Sequence, residues 1–187
     1  MVLKNSKKYL VLKKKWTEEW RKEIVDIFLF GSAIKGKDNP NDIDICLIFR
    51  NKIDLDIIKK AGLILGEEFH LSSLTVDNFF TEIHSLSKTI MFEGRSIITG
   101  KSFTGNFGLN GFLLYSYNLS QEAPSKKVRF VYLLRGRNES AGMVKRWGGE
   151  FISPSAFIAP VGIDSEVQQI FNEWKIHFKR RKLLLID

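Results

Sequence analysis

Apolar and polar positions change period several times along this chain, and each change marks an element. Trp16, Trp20 and Ile24 recur every four residues among Lys, Glu and Arg, which predicts an amphipathic helix from about Lys8 to Lys22 with a basic outer face. The run Ile24-Val-Asp-Ile-Phe-Leu-Phe30, stopped by Gly31, has the composition of a short strand buried on both faces. From Asp42 to Phe49 the period falls to two, with Asp42, Asp44 and Cys46 set against Ile43, Ile45 and Leu47, the pattern of a second strand. Ile57, Ile58, Ala61, Ile64 and Leu65 return to helical spacing, Phe69 to Thr75 suits a third strand, and Phe79, Phe80 and Ile83 mark another helix after Asp77, an expected cap. Helix, strand, strand, helix, strand, helix is the order of an α/β or α+β layer fold.

The stretch Gly100 to Gly111, dense in Gly, Ser, Thr and Asn, reads as a connection, and it divides the chain into residues 1–104 and 105–187. Beyond it, Gly111 to Leu119 has strand composition. Pro124 to Leu134 reads as a helix with Val128, Val131, Tyr132 and Leu134 or Arg135 near one stripe. Phe151 to Val161 reads as a strand or hairpin, and a last helix is expected to open at Ser165, with Gln168 at capping-box spacing. Val167, Ile170, Phe171 and Trp174 give that helix an apolar face, and Leu183 to Ile186 should pack or pair. The second half is thus expected to be a smaller α+β domain.

Composition narrows the classes. With 44% apolar and 27% charged residues in 187, the chain has the balance of a folded globular protein rather than a disordered or fibrous one. No apolar run approaches the roughly 18 residues that cross a bilayer, and the lysine-dotted first 15 residues lack the apolar core of a signal peptide, so no membrane association and a cytoplasmic location are expected. Cys46 is the single cysteine, and with His70, His84 and His177 scattered it makes no zinc-ligand cluster. The charge is +8, from 29 Lys and Arg against 21 Asp and Glu. The excess leans C-terminal, +3 over residues 1–104 and +5 over 105–187.

The chemistry concentrates between Phe28 and Phe49. Alternation along a strand puts Asp42 and Asp44 on one side with Ile43 between them in the core. Two neighbouring carboxylates repel unless a cation lies between them, and hard oxygen ligands of this kind suit Mg²⁺, or Mn²⁺, with water and substrate phosphate completing the shell. Upstream, Gly31-Ser32 ends a buried strand and is expected to open a short helix; a glycine there lets the backbone approach a phosphate while the exposed N–H groups, the Ser32 hydroxyl and the positive helix end meet its charge. The bland alternative for the aspartates is a solvent-facing edge strand, and for Cys46 it is packing.

A strand ending in Gly31-Ser32, followed about ten residues on by Asp42-Ile-Asp44 on a second strand, resembles the polymerase β-like nucleotidyltransferase superfamily, in particular its minimal nucleotidyltransferase branch. The resemblance covers roughly residues 8–100 and implies a nucleotidyltransferase-fold mixed sheet with flanking helices. Lys35 falls where many members have an arginine and Asn41 where many have a serine, and Phe92-Glu-Gly-Arg-Ser-Ile97 looks like the end of the family's core. The implied reaction is attack by an acceptor hydroxyl on the α-phosphate of a nucleoside triphosphate, ATP first among them, with Asp42 and Asp44 on the metal and Gly31, Ser32 and Lys35 on the phosphates. Members usually carry a third carboxylate on a later strand. Here that position aligns with His70, so either His70 acts as base, or Glu68 substitutes from two residues away, or the copy has lost activity.

Residues 126–146 hold seven basic side chains against one acid, Glu139, with Phe130, Tyr132 and Trp147 among or beside them. Basic groups neutralise phosphates and rings stack on unpaired bases, so nucleic acid, RNA such as tRNA more than DNA, is the expected acceptor. A solvated basic face is the bland alternative. Two other readings stand beside it: an antitoxin-like adenylyltransferase acting on a toxin partner, and an inactive copy that only binds nucleic acid or protein.

Overall fold

The structure, a computed structural model, describes residues 7–35, 43–81, 85–138 and 140–186. The chain divides into two compact units, Met1–Leu109 and Asn110–Asp187.

In the first unit, helix α1 (Lys7–Lys15) runs into a π-helical turn at Trp16–Trp20. Tyr9, Leu12, Trp16 and Trp20, spaced three or four apart, all reach the core, and the Trp16 indole N–H donates to the Ile24 carbonyl at 2.9 Å. The strands β1 (Ile24–Phe30), β2 (Ile43–Phe49), β3 (Phe69–Thr75) and β4 (Arg95–Ser96) form one mixed sheet in the order β3-β2-β1-β4. β1 is antiparallel to both β2 and β4, while β2 and β3 are parallel and joined through helix α2 (Leu55–Leu65). Asp54 caps α2, its carboxylate accepting from the N–H groups of Asp56 at 2.9 Å and Ile57 at 3.2 Å.

Alternation sends the two sides of each central strand into separate cores. Ile27, Leu29, Ile45, Leu47 and Phe49 pack with α1 and with Ile57, Ala61 and Leu65 of α2. Phe28, Phe30, Cys46 and Ile48 face α3 (Val76–Thr81) and α4 (Ser85–Glu93), meeting Phe79 and Ile90. Both faces of β1 and β2 are therefore covered, which is why β1 is apolar at every position but Asp26.

Four expectations are corrected here. Asp77 lies within the first turn of α3 rather than capping it; the Asn78 N–H bonds Thr75 Oγ1 at 3.1 Å, so Thr75 has that role. The single helix expected after Asp77 is two helices. The stretch read as a connection carries core: the Phe103 ring lies 5.7 Å from Phe28 and 5.2 Å from Phe79, and a 3-10 turn follows at Thr104–Phe107. Gly31-Ser32 opens a three-residue 3-10 turn, too short to present a helix dipole.

The second unit is built on a sheet of order β10-β5-β9-β8, from β5 (Leu109–Tyr117), β8 (Glu150–Ser153), β9 (Ala156–Pro160) and β10 (Phe178–Ile186). Between β5 and β8 come α5 (Pro124–Arg135), a two-residue pairing of β6 (Gly136–Arg137) with β7 (Ser140–Ala141), and the short α6 (Met143–Arg146); α7 (Asp164–Glu173) precedes β10. β5 pairs antiparallel with β9, and β8 and β9 form a hairpin. The core is aromatic, Tyr115, Tyr117 and Phe157 of the sheet meeting Phe130 and Phe171 of α5 and α7. α5 buries Phe130 and Leu134, whereas Val128 and Tyr132 are exposed, so its apolar stripe is rotated from the one expected.

α7 begins one residue before the expected Ser165, and the residue before it makes no side-chain cap. Asp164, in its first turn, is instead turned inward: Tyr115 Oη donates to Asp164 Oδ1 at 2.8 Å and Arg180 pairs with Oδ2. Burial, with the Asp164 hydrogen bond and charge beside it, pushes the Tyr115 hydroxyl far above its ordinary pKa. Among the described residues, no helix is long and apolar enough to cross a membrane.

Candidate functional site

One transverse row of the first sheet carries the site. The antiparallel register sets Phe30 of β1 opposite Asp44 of β2, and the parallel register sets Asp44 opposite His70 of β3. Asp44 and Cys46, two apart, share a face with different fates. Cys46 is fully buried, and burial pushes its thiol up to about 12, which keeps it protonated and unreactive near neutral pH. The Asp44 side chain, at the strand's start, keeps 31% of its surface open. His70 Nδ1 stands 3.8 Å from Asp44 Oδ1, with 65% of the His70 side chain exposed. At that distance the contact between these two atoms is electrostatic and attractive only when the imidazole carries a proton.

Gly31 continues β1 into the turn with φ +76°, a conformation L side chains rarely adopt. A Cβ placed on it would overlap Asp44 Oδ2 and approach Cγ to 3.1 Å. The glycine therefore serves two ends, a left-handed turn and room for a carboxylate. In the turn that follows, the Ile34 N–H bonds the Gly31 carbonyl at 3.3 Å and the Lys35 N–H bonds the Ser32 carbonyl at 3.2 Å, which sets Lys35 on the same turn as Ser32.

The remaining sequence candidates are distributed as follows. Asp42, Asn41, His84 and Glu139 lie outside the described residues. Lys35 Nζ pairs with Glu93 Oε1 at 3.0 Å. Glu68 is taken by Lys8, which also donates to the Leu65 carbonyl and sits 5.1 Å from the Phe69 ring centroid. That hydrogen bond holds the Glu68 carboxyl below its ordinary value. Glu68 therefore works as an anchor of α1 on the end of α2, and the substitution of Glu68 for a third carboxylate finds no support in this contact. Among the described residues no group of three or more His, Cys, Asp or Glu side chains gathers as a metal site. What fits a divalent cation is narrower: a partly open carboxylate, Asp44, at the end of a buried strand, facing a turn cleared of its Cβ. Glu93 is the residue that sequence reasoning passed over; its signal was an acid in the apolar end of α4, beside Phe92 and Ile90.

Residues 11–97 match the family model described as a nucleotidyltransferase domain. Residues 11–97 form a nucleotidyltransferase domain. Neither the curated proteins nor the solved structures searched contain a match to this chain. The domain takes in α1 from its second turn, all of β1, β2, β3 and β4, and the Gly31 turn. Asp44, Gly31, Ser32, Lys35, His70 and Glu93 all belong to it.

Outside that domain, the basic stretch of the second unit is only partly open. Lys126 pairs with Glu122 at 2.6 Å, Lys127 Nζ donates to the Ser120 carbonyl at 2.8 Å, and the Arg135 guanidinium lies 3.8 Å from the Phe151 ring centroid. Phe130 and Trp147 are core residues, so Tyr132, with Arg137 at 5.4 Å from its ring centroid, is the exposed aromatic of the three. Arg129, Arg137, Lys145 and Arg146 remain exposed.

Proposed function

We propose that this chain is a nucleotidyltransferase that moves a nucleoside monophosphate from a nucleoside triphosphate, ATP first, to a hydroxyl of an RNA acceptor. The observation that carries the reading is the fit of Asp44 into the space left by Gly31, which brings a carboxylate against the Gly31-Ser32 turn within the nucleotidyltransferase domain. Asp44, with Asp42, would hold the divalent cation, Mg²⁺ or Mn²⁺, which when bound supplies charge neutralisation at the triphosphate. Gly31 and Ser32 bind and orient the phosphates through the turn's backbone N–H groups and the Ser32 hydroxyl. Lys35 adds positive charge.

In the transfer itself, the acceptor oxygen forms a bond to the α-phosphorus as the bond to the bridging oxygen breaks, and pyrophosphate leaves with that electron pair. The acceptor's proton needs a base. His70, beside Asp44 and open to solvent, takes it, and Asp44 stabilises the imidazolium so formed. The acceptor assignment rests on the basic excess of the second unit and its exposed Arg129, Arg137, Lys145, Arg146 and Tyr132, a mixture suited to phosphates and an unpaired base.

A second reading, a nucleotide-binding copy without transfer, is favoured by the commitment of Glu68 to Lys8. Label transfer separates them. The chain is incubated with labelled nucleoside triphosphates, Mg²⁺ and total RNA, beside Asp44→Asn. Transfer to RNA that falls at least about a hundredfold in the variant supports the enzyme, since charge-stabilising groups at such sites contribute on that scale. Nucleotide binding without transfer to RNA or protein supports the silent copy, and transfer to protein alone would replace the RNA acceptor.

A further inference from the structure

Glu93 is a buried acid that the transfer chemistry does not use. It ends α4 immediately before Gly94, and β4 then pairs back along β1, Arg95 opposite Leu29 and Ser96 opposite Phe28. This return brings the end of α4 to the end of β1 where the Gly31 turn starts. The Glu93 side chain is only 1% exposed, and its Oε1 meets Lys35 Nζ at 3.0 Å. Its second oxygen, Oε2, is buried with no hydrogen-bond partner among the described residues.

A carboxylate in that position is a poor stabilising device. An apolar side chain among Ile90, Phe92 and their neighbours would avoid the desolvation that Glu93 suffers, so its presence points to a task in specifying position. The partner indicates which task. Lys35 sits on the phosphate turn, its side chain is 30% exposed, and an ammonium group has three N–H donors, of which Glu93 engages one. Lysine is otherwise a flexible point charge that loses much rotamer freedom when it is fixed.

We propose that Glu93 is a positioning residue that holds the Lys35 ammonium at the Gly31-Ser32 turn, where it contacts the phosphates of the triphosphate beyond the α-phosphate. This inference rests on the phosphate-site reading above. Glu93 touches no substrate; it acts through Lys35, pre-ordering a side chain whose fixing would otherwise be charged against binding.

The test is nucleotide affinity of the full chain, measured by calorimetry with Mg–ATP and with AMP, for Glu93→Gln, Lys35→Met, Lys35→Arg and the Glu93→Gln/Lys35→Met double variant. Glu93→Gln and Lys35→Met should each weaken ATP about tenfold and AMP less than about twofold, a scale fitting loss of one charge-assisted contact. The double variant should bind no more weakly than Lys35→Met, because Glu93 has no effect once its partner is gone. Lys35→Arg should recover most of the affinity. Wild-type ATP affinity in Glu93→Gln, or losses that multiply in the double variant, would overturn the inference while leaving the phosphate site intact. Should Glu93→Gln not fold, unchanged ATP affinity in Lys35→Met overturns it alone. If the wild-type chain binds no nucleotide, the phosphate-site reading fails and the inference falls with it.

Discussion

The carboxylate of Asp44 occupies the space that a side chain on Gly31 would need. Oδ2 would be overlapped by a Cβ there, and the glycine's φ of +76° already excludes most residues. Gly31→Ala therefore faces two penalties at once. The left-handed conformation costs roughly 1–2 kcal/mol for an L residue, and Asp44 must leave its place. The variant should melt at lower temperature and bind Mg–ATP at least about tenfold more weakly, a cost of about 1.4 kcal/mol. A calorimetric titration with wild-type affinity would mean that neither the turn nor the position of Asp44 matters to nucleotide.

His70 lies opposite Asp44 in the β2–β3 register, yet most of its side chain is in solvent. Replacing it should barely touch stability, within about 0.5 kcal/mol as for an exposed position. Transfer should fall about 10²-fold or more in His70→Gln if the imidazole takes the acceptor's proton. Nucleotide affinity should hold, since glutamine keeps a polar group of similar reach. Equal loss of affinity and transfer would instead make His70 a binding group.

Asp164 draws three elements of the second unit together, accepting from Tyr115 on β5 and pairing with Arg180 on β10 while starting α7. Asp164→Ala leaves a buried hydroxyl without its acceptor and a guanidinium without its counter-charge. The expected cost is roughly 2–4 kcal/mol, held down by the partial exposure of Arg180. Asp164→Asn, which retains an acceptor for Tyr115, should cost less. Urea unfolding of the three proteins orders them, and an alanine variant as stable as the asparagine one would mean that the Tyr115 contact contributes nothing.

How far the sequence disclosed all this follows from what each residue answers to. β1 and β3 have the bounds their composition suggests, because buried β-branched runs and period-two alternation are local signals. The Gly31-Ser32 turn and Asp44 were legible for the same reason, as a breaker and an alternating acid close together in the chain. The pairing of Lys35 with Glu93 was not, since 58 positions separate them and only the return of β4 along β1 brings them together. Phe103 was hidden by its Gly- and Ser-rich neighbours, although its ring fills the space between Phe28 and Phe79. Asp164 illustrates the opposite error: Ser165 and Gln168 carry a capping-box spacing, but an inward acid in contact with a tyrosine and an arginine outweighs a local cap.

Asp26 gives the first unit a pH dependence of definite sign. Its Oδ1 accepts from Ser96 Oγ and from the Ile27 N–H, both at 2.7 Å, tying β1 to the end of β4. Burial nevertheless dominates these hydrogen bonds and raises the carboxyl above its ordinary value. The folded state thus holds the proton more tightly than the unfolded chain does. Asp26 contributes stability that is fully present below the ordinary carboxylate range and is lost as pH rises through the raised folded value. Asparagine keeps an acceptor for Ser96 and Ile27 and does not titrate. Melting temperatures of Asp26→Asn and wild type should therefore diverge in favour of the variant as pH climbs from about 4 to about 8. A difference that favours the wild type increasingly as pH rises would show that the hydrogen bonds outweigh burial and that Asp26 is held as an anion, and a difference independent of pH would show that the two effects cancel; either result overturns the prediction.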